Sequence, residues 1–227
     1  MSQAMRLSIR PYGVLGTALT NKGIKRVAAE PAPGLPIVDP AGLHHIVNGP
    51  MGAGGAAAQI YRWLGIAGDD SFPDPVRTAI QKPLQAKLHF YGPKACCHVV
   101  GPDFRGRSIS RDRAVDELAE AYEAILCEFA RSRLGGLRML PISGGIFSGS
   151  FAPELPVLTA KALRKAFDDL TKPVQHIVSV ARLDMCIFME SEFQSYTEAF
   201  KHEMELSRRF NDSLDIGSTP TRVWQTA

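Results

Sequence analysis

At 227 residues, with 45% hydrophobic and 22% charged side chains, the chain has the size and make-up of one large globular domain with its own core. Its net charge of +3 is too small to argue for nucleic acid by itself. No apolar run nears the roughly 20 residues that span a membrane, and the amino terminus lacks an apolar signal core.

In chain order, Arg6–Arg10 alternates weakly, as an edge strand does. Pro31, Pro33, Pro36 and Pro40 make 31–40 extended. Leu43–Val47 (L-H-H-I-V) reads as a short apolar strand ending at Asn48. A glycine- and alanine-rich stretch follows, and the spacing of Ala57, Ile60, Tyr61 and Leu64 predicts a helix that starts at Gly54 and Gly55 and ends at Gly65. Residues 69–83 read as loop and short helix. Ala86–Tyr91 and Ala95–Gly101 read as strands, separated by Gly92 and Pro93.

Val115, Leu118, Ala119, Tyr122, Ile125, Leu126 and Phe129 predict a helix over Arg111–Arg133. A buried strand over 137–142 then meets Ser143, Gly144 and Gly145, and a helix begins near Leu155. Pro173 reads as a stop, and Ile177–Val180 and Met185–Met189 as strand pieces. A last helix runs to about Arg209, before a polar tail.

Cys96, Cys97, Cys127 and Cys186 lack CxxC spacing and fall in apolar segments. Free thiols in a reducing intracellular compartment, cytoplasmic or nuclear, are therefore expected, with no metal site. Cys97 beside His98 resembles a nucleophile–base pair, but neighbours on a strand point to opposite faces.

Alternating strands and helices predict a three-layer α/β/α sandwich with a mixed, largely parallel central sheet. Two glycine-rich loops follow two strands, at Asn48–Gly55 and Ser143–Gly149. Glycines there expose backbone N–H groups, and a run of these makes an anion nest. A helix start adds free N–H groups and partial positive charge. Tight turns and close helix–sheet packing explain the same glycines without a ligand. There is no GxxxxGK[ST] loop and no GxGxxG fingerprint, so the two commonest phosphate loops are excluded.

The order I-V-N at 46–48, G-G at 54–55, I-Y at 60–61, H-V-V-G-P at 98–102, a long helix, and L-P-I-S-G-G-I-F-S-G at 140–149 resembles the macro domain family over about residues 37–205. The resemblance implies a macro-like domain over 37–210, after an extension with an edge strand (1–36) and before a tail (211–227). It implies an ADP-ribose pocket at the carboxyl ends of the strands, no cofactor, and ADP-ribose or a related nucleotide as partner, with ADP-ribosylated protein a further one. By resemblance Asn48, Gly54, Gly55 and Ala56 line the distal ribose and a phosphate, and Ser143, Gly144, Gly145, Ile146 and Phe147 wrap the diphosphate. Asp39, Phe188 and Phe193 stand on the adenine side; core packing is the competing role for both phenylalanines.

The family's usual N-A-A-N is read here as Asn48-Gly49-Pro50-Met51, and the aspartate that one hydrolase branch carries after the glycines as Ala57. With Asn48 the one remaining catalytic candidate, the resemblance implies a binder with weak or no hydrolysis. An active ADP-ribosyl or O-acetyl-ADP-ribose hydrolase is the alternative. A second alternative is an interaction or nucleic-acid-binding module, for which only Arg105, Arg107, Arg111 and Arg113 speak.

Overall fold

The computed structural model describes residues 4–203. The predicted end of the last helix and the polar tail lie outside the described residues. A six-stranded sheet forms the middle layer: β1 (Leu7–Arg10), β8 (Arg182–Cys186), β7 (Gly136–Met139), β4 (Ile37–Pro40), β6 (Lys94–Val99) and β5 (Ala86–Tyr91), in that spatial order. β1, β8, β7, β4 and β6 run parallel, and β5 closes one edge antiparallel to β6. Two further strands, β2 (Thr17–Thr20) and β3 (Gly23–Arg26), form a separate hairpin.

Helices cover both faces. On one side lie α4 (Arg111–Ser132), α5 (Leu155–Asp169), α6 (Lys172–Val180) and α7 (193–203). They pack Leu118, Ile125, Leu163, Val178 and Tyr196 onto Val38, Cys97, Val99, Leu137 and Leu183 of the sheet. On the other side lie α1 (Leu43–Asn48), α2 (Gly55–Leu64) and α3 (Asp74–Ala79), whose Ile46, Ile60, Tyr61 and Val76 meet Ile37, Cys96 and Cys186. This is the expected α/β/α sandwich. The period of 2 explains the division: odd residues of β4 face the smaller helical layer and Val38 faces the larger.

α4 matches the predicted helix closely. Ser110 caps it by accepting from the Arg113 N–H at 3.2 Å, and Arg133 ends it in the left-handed region at φ 59°. Two segments differ from expectation. Residues 43–48 form α1 rather than a strand. Ile46 is the one buried residue of that run and Val47 is 63% exposed, so the segment fails to enter the sheet. Residues 172–180 form α6 rather than ending at Pro173. That proline sits in the first helical turn, where its missing N–H costs nothing. The strand after it is Arg182–Cys186 alone.

Candidate functional site

The parallel strands end on one edge of the sheet, so the loops after β4, β6, β7 and β8 share that edge. β4 lies between β6 and β7. The loops leaving β4 and β7 therefore emerge side by side, at the position where open α/β sheets take ligands.

The loop after β4 carries α1 and ends at the start of α2. Gly54 occupies the N-cap position with no side-chain cap, and no acidic residue stands in the first turn. The first intrahelical acceptor, Gly54 O, receives Ala58 N–H at 3.3 Å, which leaves the N–H groups of Gly55, Ala56 and Ala57 projecting from the helix end. A Cβ built on Gly52, Gly54 or Gly55 meets nothing within 4 Å, so the surface beside these glycines is open among the described residues. A cavity of about 220 Å³ adjoins them, lined by Pro50, Gly52, Ala53, Ala58, Tyr61 and Arg62 with Ala67.

The loop after β7 is held from below. The Tyr122 hydroxyl accepts from Ile142 N–H at 3.1 Å and donates to Leu140 O at 3.4 Å. Ser143 is buried in the left-handed region (φ 59°), and its hydroxyl donates to Pro102 O at 2.5 Å. Gly144 and Gly145 then open a 3-10 turn over Gly145–Glu154 with no side-chain cap. The N–H groups of Gly145 and Ile146 are the orphans of that turn. A Cβ on Gly145 meets open space, and Ile146 is 71% exposed. Phe104 N–H donates to Phe147 O at 2.9 Å, and the Arg105 guanidinium lies 4.8 Å from the Phe147 ring centre. The loops after β6 and β7 are thus tied together. Gly149 kinks the turn at φ 53°, ψ −133°, where a Cβ would stand 2.5 Å from Phe104 O. Only glycine fits there.

Asn48 closes α1, away from any strand end. Its side-chain amide donates to His44 O at 2.9 Å and meets His44 Nδ1 at 3.0 Å, so it is spent on its own helix. The residue at the strand end beside the β7 loop is Asp39. Ala57 is buried and Met51 is 56% exposed. After β8, Phe188 is 37% exposed; its carbonyl accepts from Leu19 N–H at 2.8 Å, tying it to the β2–β3 hairpin. Phe193 packs against the larger core at the start of α7.

The sequence reading missed a buried polar chain beneath the first loop. Asp39 Oδ2 lies 2.7 Å from His98 Nδ1, and His98 Nε2 lies 2.8 Å from the Tyr91 hydroxyl. Asp39 and His98 are fully buried. A carboxylate accepts only, so the network places a proton on Nδ1, which donates to Asp39. The Tyr61 hydroxyl and Asp39 Oδ1 complete the cluster, neither within ordinary hydrogen-bond geometry of a partner among the described residues. Burial first, and then the charge of Asp39, push the Tyr61 phenol far up; burial does the same to Tyr91. A lone charged residue in the apolar run I-V-D, and another in A-C-C-H-V-V, were the available signals. His98 faces the smaller layer and Cys97 the larger core, so those two form no catalytic pair.

The four arginines near the loop rim are each matched to a carboxylate. Arg107 grips Glu117 with both terminal nitrogens, at 2.7 and 2.8 Å, and Arg113 reaches the same carboxylate at 3.0 Å. Arg105 pairs with Asp103 and Arg111 with Glu154.

No protein-family model and no curated protein matches this sequence. Solved structures do match its shape. The macrodomain of Oceanobacillus iheyensis with ADP superposes with a TM-score of 0.55 at 18% identity, over 88% of this chain and 92% of that one. The Trypanosoma brucei macrodomain in complex with ADP-ribose gives 0.53 at 16%, over 85% and 68%. The alphavirus P23pro-zbd structure gives 0.57 at 14%; 98% of this chain is covered, but only 26% of that one. The chain adopts the macrodomain fold.

Proposed function

We propose that this chain, a macrodomain by fold, binds ADP-ribose or a related adenine nucleotide diphosphate and hydrolyses ADP-ribosyl bonds slowly or not at all. One observation carries the reading. Two uncapped helical starts, at Gly54–Gly55 in the long connection after β4 and at Gly144–Gly145 after the neighbouring β7, offer backbone N–H groups, with open space around Gly54, Gly55 and Gly145. A diphosphate between two such donors is held without any cationic side chain. Phe188, half exposed after β8, is the aromatic that we assign to the adenine side. Asp39 is a positioning residue in this reading, because its carboxylate is committed to His98 below the loop.

Slow hydrolysis follows from what the loop lacks. Asn48 bonds its own helix, Met51 offers no hydrogen bond, and Ala57 no charge. General acid–base help contributes typically about 10²–10⁴-fold, so its loss is measurable. Calorimetry with ADP-ribose, ADP and AMP tests binding: the two diphosphates bind and AMP binds more weakly. Release of ADP-ribose from an automodified acceptor tests turnover. A rate within about tenfold of an active macrodomain overturns the assignment of positions 48, 51 and 57.

A further inference from the structure

A second groove runs along the outer edge of the sheet, mostly at the amino ends of the strands and so opposite the nucleotide loops. Its volume is about 560 Å³, and Met5, Arg6, Ser8, Arg10, Val180 and Arg182 line it. Asp184 is the only carboxylate facing these arginines among the described residues. Arg10 Nε donates to its Oδ1 at 2.8 Å and Arg182 Nη2 to its Oδ2 at 2.9 Å. Arg6 has no ion pair among the described residues. Three guanidinium groups therefore meet one carboxylate, and the groove carries an excess of two positive charges.

The backbone beside these arginines is open. Among the described residues β1 is the outermost strand, paired to β8 alone. The carbonyls of Arg6 and Arg10 accept from Leu183 and Ile187 N–H, so the even-numbered residues of β1 spend their main-chain groups on β8. Leu7 and Ile9 turn theirs outward, where no main-chain partner meets them among the described residues. Two N–H and two C=O groups thus form an unpaired ladder, with arginines above it and the apolar side chains of Met5 and Val180 below.

We propose that this edge takes an acidic, extended peptide segment as an added strand. Main-chain hydrogen bonds to Leu7 and Ile9 supply register, and carboxylates on alternate residues meet Arg6, Arg10 and Arg182. A small anion engages the arginines and leaves the ladder unused. A second copy of this chain brings its own arginines against these in a symmetric pairing, and like charges across strands destabilise. The charge that keeps copies apart selects an acidic partner.

The experiment is an amide-resolved NMR titration of the full chain with three seven-residue probes: one alternating glutamate with valine, its lysine counterpart, and the glutamate peptide with alternate backbone nitrogens methylated. We expect the glutamate peptide to saturate with its shifts centred on Leu7 and Ile9, and the other two to bind at least about tenfold more weakly, a loss of about 1.4 kcal/mol. Arg6→Glu, an exposed and unpaired position, gives a similar loss without unfolding the sheet. No saturable binding, equal binding of the methylated peptide, or shifts centred on the glycine loops overturns the proposal. Sedimentation showing a dimer that Arg6→Glu abolishes also overturns it, in favour of a second copy.

Discussion

The Asp39–His98 pair makes a sharp prediction for stability. Both side chains are fully buried and 2.7 Å apart. His98→Leu keeps much of the volume and removes the Nδ1 donor to Asp39. Breaking a buried, hydrogen-bonded charge from one side costs about 3–5 kcal/mol. Tyr91 loses its partner His98 Nε2 as well, which adds to that cost. Asp39→Leu leaves the imidazole Nδ1 donor unpaired, and costs about 1–3 kcal/mol. The double substitution strands neither partner. It should be less destabilised than the sum of the singles by about 2 kcal/mol, within the range for residues in direct contact. Urea unfolding of the four proteins measures the cycle, with m-values compared to confirm the same transition. A domain holds about 5–15 kcal/mol, so each single variant retains a folded baseline. Additivity within about 0.5 kcal/mol would refute the coupling and reduce the pair to two separately packed side chains.

Three further outcomes are expected. Gly145→Val weakens ADP-ribose binding at least about tenfold by filling the open space before the turn; since its φ of 64° adds about 1–3 kcal/mol of strain, Gly54→Val at φ −108° serves as the strain-free partner, and unchanged affinity in both folded variants sinks the phosphate assignment. The hydrogen bond from Arg107 holds the Glu117 carboxyl below its usual range, so its stabilisation is present above the unfolded glutamate pKa of about 4.3 and is lost as pH falls through the lowered folded value; Glu117→Gln should flatten the fall of melting temperature below that pH, and an unchanged slope contradicts the pairing. Burial pushes the thiols of Cys96 and Cys97 up, and Cys186 to about 12, while Cys127 is only partly buried; native alkylation should label Cys127 first, and mass spectrometry of denatured protein should show four free thiols.

The sandwich was legible because its longest elements carry strong periods. α4 sets six apolar residues toward the sheet at helical spacing, and no competing pattern exists for it. The β7 loop was legible for a different reason: Ser143 and the glycines follow an apolar run directly, and Gly145 stands at a φ of 64° that favours glycine. Short apolar runs were not legible. L-H-H-I-V and I-V-S-V suit a strand or a helix equally in five residues, and tertiary burial decides. The Asp39–His98–Tyr91–Tyr61 cluster was hidden because its members come from β4, β6, β5 and α2, and only strand order brings them together.

The misplacement of the first strand has a physical cause and a bounded consequence. Ile46-Val47-Asn48 and Ile37-Val38-Asp39 present the same pattern, two β-branched residues and a short polar one. Pro31, Pro33, Pro36 and Pro40 mark the second site only as an extended passage. Pro40, however, is the last residue of β4, where a missing N–H breaks no ladder, and Ile37 and Val38 are fully buried. We therefore propose that the position of the family tetrapeptide N-A-A-N falls on Asp39-Pro40-Ala41-Gly42, where β4 ends. Its second amide then falls on Gly42 instead of Met51, and its first on a carboxylate that His98 occupies. Neither alignment leaves an asparagine free to face a distal ribose, so the prediction of slow turnover holds under both. Restoring an amide separates them: Gly42→Asn should raise affinity for ADP-ribose over ADP, whereas Met51→Asn, on an exposed side chain, should leave that ratio unchanged. The opposite pattern returns the motif to residues 48–51.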